Sequence, residues 1–117
     1  MKKFRFLEWE VYKDAKTLFF ESLKITHGLS KEYRFELGSQ LIRASLSVVL
    51  NIAEGSGKTS DKELNRYFDI SLGSLHEALA LTDALRDGNF ITAEQFENIV
   101  VLVENVSKQL GGFKKKL

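Results

Sequence analysis

Neither cysteine nor proline occurs in this chain of 117 residues. Without cysteine there are no disulfides, thiolate metal sites or cysteine nucleophiles, a composition that fits the cytoplasm. Without proline nothing removes a backbone donor, so long uninterrupted helices are permitted. A strong charge of one sign is also missing: 17 basic against 16 acidic residues leave a net charge of +1. Nucleic-acid binding rests on Lys and Arg neutralising phosphates, so a near-neutral chain does this only by clustering its cations. No long apolar run is present either. The most apolar stretch, Ala44 to Ala53, is interrupted by Ser45, Ser47 and Asn51 and is too short to cross a bilayer. The start, Lys2-Lys3-Phe4-Arg5, opens like a signal peptide, but Glu8, Glu10, Lys13 and Asp14 occupy the place of its apolar run. The expectation is a soluble, cytoplasmic protein.

What is present is ordinary for a folded domain: 44% hydrophobic and 28% charged residues, enough apolar surface to exclude disorder. The length suits one domain, spanning residues 1–117. Four segments carry apolar residues at steps of three and four, the spacing of one helix face. The first, about Leu7 to Thr26, uses Leu7, Val11, Ala15, Leu18, Ser22 and Ile25, with His27-Gly28 as a stop. The second runs from about Ser30 to Gly55, with Gly38 weakening its first turns. The third follows Gly55-Ser56-Gly57. Ser60 and Glu63 match a capping box, Leu64, Phe68, Ser71, Leu75, Leu79 and Thr82 form the stripe, and Gly88 is suited to the left-handed position past the end. The fourth opens on a second box, Thr92 to Gln95. Its stripe is Phe96, Ile99, Val100, Val103, Val106 and Leu110; Gly111-Gly112 ends it and Lys114-Lys115-Lys116 forms a frayed tail. No segment alternates with period two. The pattern predicts an all-α, antiparallel up-down-up-down four-helix bundle.

The second helix carries more apolar surface than one core needs. Leu37, Leu41, Ala44, Val48 and Ile52 lie on one side, and Ile42, Leu46, Val49 and Ala53 on another. Phe6, Trp9, Phe20, Val101 and Leu102 fall off the stripes of their own segments. Apolar surface of this extent marks an interaction site, and the reading is a homo-oligomer.

Between the two apolar sides of the second helix runs a polar strip: Gln40, Arg43, Ser47, Asn51, Glu54 and Lys58. Arg43 is placed to reach Ser47, and Asn51 to reach Glu54 and Gly55. The strip reads either as a network fixing the helix end and subunit register or as a contact for a ligand or nucleic acid; the first is favoured because buried polar groups so generally seek partners. Gly57-Lys58-Thr59 imitates the end of a phosphate loop, but Ile52 stands where the motif needs glycine and a helix precedes it. His27 and His76 are isolated, no Glu-x-x-His pair occurs, and no Ser-His-Asp set is suggested, so neither a metal, a cofactor nor an enzyme activity is expected. Candidate nucleic-acid contacts are Lys58, Lys62, Arg66, Lys114, Lys115 and Lys116, with Lys2, Lys3, Arg5 and Lys108 as further cations.

The run Gln40 to Gly55, QLIRASLSVVLNIAEG, resembles the signature of the bacterial four-helix bundle proteins, also called 23S ribosomal RNA intervening-sequence proteins. Ser60 and Glu63 agree, as does Gly73-Ser74-Leu75-His76-Glu77 with that family's Gly-Ser-x-x-Glu. The resemblance covers nearly the whole chain. It implies a four-helix bundle assembling as a homopentameric ring, with no enzymatic activity attached to the fold. Some members are encoded inside insertions in the large ribosomal RNA gene. A related branch, the accessory proteins of diversity-generating retroelements, is pentameric, binds nucleic acid and contacts a reverse transcriptase. The motif positions are Gln40, Arg43, Ser47, Asn51, Glu54, Gly55, Gly73, Ser74 and Glu77. This chain is less basic than the nucleic-acid-binding relatives and lacks a proline between its first two helices. The leading expectation is a non-enzymatic homo-oligomeric scaffold with RNA or a ribonucleoprotein as partner. The rivals are a module that binds only protein and, remotely, an enzyme with Glu54 as base.

Overall fold

Apolar residues at helical spacing must be buried on one side, and four long helices do this around a shared interior. The computed structural model describes residues 4–117. A 3-10 turn, Arg5–Glu8, leads into α1, Glu10–Gly28. A short helical stretch, Lys31–Tyr33, and a π-helical stretch, Arg34–Gly38, run into α2, Ser39–Ser56. Then follow α3, Asp61–Asp87, and α4, Ala93–Lys115. No strand occurs among the described residues. Each long helix packs on two others: α2 and α4 flank α1, and the same two flank α3. The body is 43 × 22 × 21 Å, about the length of one long helix.

The core is built from the expected stripes: Val11, Ala15 and Leu18 of α1, Leu41, Val48 and Ile52 of α2, Phe68 and Leu75 of α3, and Ile99, Val106 and Leu110 of α4. Ser22, Ser45, Ser71 and Thr82 are buried with them, and each hydroxyl donates to a main-chain carbonyl. Polar residues are thus tolerated in the core because each hydroxyl finds a partner.

The element ends depart from the sequence reading in four places. Leu7 sits exposed in the 3-10 turn instead of opening the core stripe. The second segment does begin irregularly up to Gly38, as the sequence suggests, but the cause is tertiary: the Gly38 backbone lies so close to Thr26 that an added Cβ would stand 2.5 Å from Thr26 Cγ2, and the Thr26 hydroxyl donates to the Gly38 carbonyl at 3.4 Å. The chain accommodates this approach by widening into π-helical turns. At Ser60 only half of the capping box forms; the Ser60 hydroxyl accepts from the Glu63 amide, but the Glu63 carboxylate turns to Arg66 at 2.8 Å. The left-handed residue after α3 is Asn89, at φ 62°, and not Gly88. Finally, Gly111-Gly112 does not end α4, which continues to Lys115. Two glycines cost a helix about 1 kcal/mol each. The turn beyond them offsets that by wedging Phe113 between Trp9 and Phe68, with ring centroids 5.1 and 5.5 Å away. The capping box at Thr92 and Gln95 is complete, as the sequence predicts.

Candidate functional site

The polar strip of α2 faces α3 along its middle turns. Ser47 Oγ lies 2.8 Å from Ser74 Oγ, and Asn51 Nδ2 donates to the Ser47 carbonyl at 2.8 Å and to its hydroxyl at 3.1 Å. Next to this pair the buried Ser71 hydroxyl donates to the Val48 carbonyl at 3.1 Å. One turn further along α2, Gly55 faces Leu64 and Tyr67, and a Cβ on it would stand 2.8 Å from Tyr67 Cβ. Partner numbers on α3 fall as those on α2 rise, so the two helices run in opposite directions. Ser47 and Gly55 against Ser71 and Ser74 form a seam of small residues, which lets the backbones approach closely.

Three strip contacts read from the sequence do not form. Arg43 does not reach Ser47, and Asn51 reaches neither Glu54 nor Gly55. Helical side chains lean toward the helix N-terminus, so Asn51 bonds back to the preceding turn. Gln40 likewise donates backward, to the Glu36 carbonyl at 3.3 Å. The side chains of Arg43, Glu54 and Glu77 are exposed and make no hydrogen bond or ion pair among the described residues. The register set by Ser47–Ser74 and Gly55–Leu64 places Arg43 at the level of Glu77. Gly73 is exposed, and a Cβ there would meet nothing within 4 Å. The motif therefore divides in two. Ser47, Gly55 and Ser74 join α2 to α3, with Asn51 bonding back to Ser47 on its own helix, while Gln40, Arg43, Glu54, Gly73 and Glu77 are exposed. Ser71 belongs to the first group; its place on the α3 stripe was legible, but its bond to α2 was not.

At the end where α3 begins and α4 finishes, the candidate cations gather. Lys58 and Arg66 both lie over the Tyr67 ring, at 5.0 and 4.7 Å. Lys62 shares a shallow depression with Lys114, Asn65 and Asp61. Two of these charges are already engaged. Arg66 pairs with Glu63, and its hydrogen bond and positive charge hold the Glu63 carboxyl below the ordinary carboxylate range. Lys114 donates to Asn65 Oδ1 at 2.7 Å and pairs with Asp69. It is half-buried in the last turns of α4 and is no part of a frayed tail. Lys115 and Lys116 remain exposed, as do Lys58 and Lys62. Arg5 lies over Trp9 at 5.7 Å, and Lys2 and Lys3 fall outside the described residues.

Among the described residues no group of three His, Asp or Glu side chains is arranged to hold a metal ion, and no helix is long and apolar enough to cross a membrane. His76 is occupied with the Leu72 carbonyl at 2.8 Å. Glu54 lines a depression with Phe4, Arg5, Phe6, Ala53, Ser56 and Gly57, in which the Ser56 hydroxyl donates to the Ala53 carbonyl at 2.7 Å.

No curated protein matches the chain. A solved structure from Bacteroides thetaiotaomicron, described as a protein with unknown function from the S23 ribosomal protein family, is similar in fold. It superposes with a TM-score of 0.83 at 22% identity, covering 90% of this chain and 98% of that one. The sequence pattern of a described family agrees over residues 8–112, nearly the whole fold including both halves of the α2–α3 seam. The chain belongs to the family of the 23S rRNA-intervening sequence protein.

Proposed function

We propose that the chain is a non-enzymatic scaffold: an antiparallel up-down-up-down bundle that assembles as a homo-oligomeric, pentameric ring in the cytoplasm and offers a basic end to RNA or a ribonucleoprotein. The observation that carries the self-association is the outward side of α2. Of its second apolar set only Val49 joins the core, while Ile42, Leu46 and Ala53 are half-buried and Leu50 beside them is 55% exposed. Covering a large apolar side chain of this kind contributes about 1.5–3 kcal/mol. The outward charges Arg43, Glu54 and Glu77 flank that side without partners among the described residues. Light scattering tests this: the expected mass is a multiple of the 13.3 kDa chain, and a monomer at micromolar concentration ends the proposal.

RNA as partner rests on the family's name and on Lys58, Lys62, Lys115 and Lys116, gathered at one end and repeated in every copy of a ring. Such binding weakens steeply as salt rises. A gel shift with structured RNA at low ionic strength is expected to show a complex. Its absence assigns the scaffold to a protein partner, the reading favoured by the engagement of Arg66 and Lys114 with Glu63 and Asp69.

A further inference from the structure

Two exposed surfaces of opposite charge stand on different elements. The outer face of α4 carries Glu94, Glu97, Val101 and Glu104, at steps of three and four, so they share one side of the helix. Val101 is 62% exposed, and none of the three carboxylates has a hydrogen bond or ion pair among the described residues. At the corner between α1 and α2 lies a cleft lined by His27, Lys31, Arg34, Phe35, Ser39 and Ile42, with no acidic residue in its lining. Arg34 is fixed there by donating to the carbonyls of Leu29 at 3.2 Å and His27 at 3.4 Å. Phe35, turned out by the π-helical stretch, is 81% exposed. The cleft continues at Ile42 into the outward side of α2.

We infer that the acidic stripe of α4 in one copy docks on the basic-rimmed cleft of the next, with Val101 against Phe35 and Ile42 and the glutamates against Lys31 and Arg34. This rests on the self-association proposed above and names the surface that covers α2. Stripe against stripe sets carboxylates together, and cleft against cleft sets cations together, so both two-fold pairings are disfavoured. A contact between two different surfaces is heterologous, and repeated with a closing rotation it produces a ring.

The test is charge reversal in the full chain, read by light scattering, with circular dichroism confirming the fold. Lys31 is exposed at the start of its helical stretch, where a glutamate is compatible with the helix dipole. Lys31→Glu alone, and Glu97→Lys with Glu104→Lys, are each expected to weaken assembly at least about tenfold. The chain carrying all three changes is expected to regain assembly. A wild-type monomer overturns self-association and this inference with it. Assembly undiminished in the folded Glu97→Lys/Glu104→Lys chain overturns the inference alone, as does a triple variant that regains nothing.

Discussion

Two glycines of the family motif have opposite surroundings, and they are expected to answer substitution oppositely. At Gly55 a Cβ would stand 3.2 Å from Leu64 Cδ1 and 2.8 Å from Tyr67 Cβ, an atom tied to the α3 backbone that moves only if α2 and α3 separate. Gly55→Ala is therefore expected to cost about 1–3 kcal/mol, visible as a lower thermal midpoint by circular dichroism. Gly73 lies within α3 beside open space. Gly73→Ala is expected to stabilise the single chain by up to about 1 kcal/mol, since alanine loses less conformational freedom in a helix. A destabilised Gly73→Ala monomer would contradict the open surroundings. In the sequence the two positions look alike; what separates them is which side of a helix meets a neighbour. Ser47 and Arg43 make the same point. Both lie on one polar strip, yet Ser47 finds Ser74 across the seam and the Arg43 side chain has no hydrogen-bond or ion-pair partner among the described residues.

At the scale of the element, helix ends were legible where the signal was local and misread where tertiary contact intervened. The box at Thr92 needs only four consecutive residues and forms complete. At Ser60 the reciprocal half is lost because Arg66, three residues along, competes for Glu63. That competition has a pH signature. The lowered pKa of Glu63 in the folded chain means that its pairing stabilises α3 above the carboxyl's unfolded value, and that this is lost as pH falls through the folded value. Replacing Arg66 by Met is expected to raise the Glu63 titration midpoint toward the ordinary value, as read by carboxyl NMR. The difference in thermal midpoint between the two proteins is expected to be open at neutral pH and to close in acid. A Glu63 midpoint unmoved by the substitution would separate the two side chains.

For the whole molecule, one end is held by aromatic contacts that no single segment announces: Trp9, Phe68 and Phe113 come from three different stretches of chain. Phe113→Ala is expected to cost about 2 kcal/mol or more and to let α4 end near Gly111-Gly112, with helicity lost from its last turn. Hydrogen exchange localises that change, and protection persisting past Gly112 would refute it. Assembly makes a separate prediction. A folded chain that binds its own copies is stabilised by mass action, so the thermal midpoint is expected to rise with protein concentration. A midpoint independent of concentration over a wide range would count against the ring.

By itself the sequence determined the all-α class, the four long segments, most of their buried stripes and the family, because periodicity, caps and a contiguous motif are local properties. The tertiary structure alone decided how the motif divides. Ser47 and Gly55 meet Ser74 and Tyr67 across the α2–α3 seam, whereas Gln40, Arg43, Glu54, Gly73 and Glu77 stay outside. It also drew Lys114 out of a supposed tail and onto Asp69, and extended α4 past two glycines. The physical reason is common to these cases. A residue's helix face follows from spacing along the chain, but whether that face meets a neighbour, and which atom lies across from it, depends on the position of another helix.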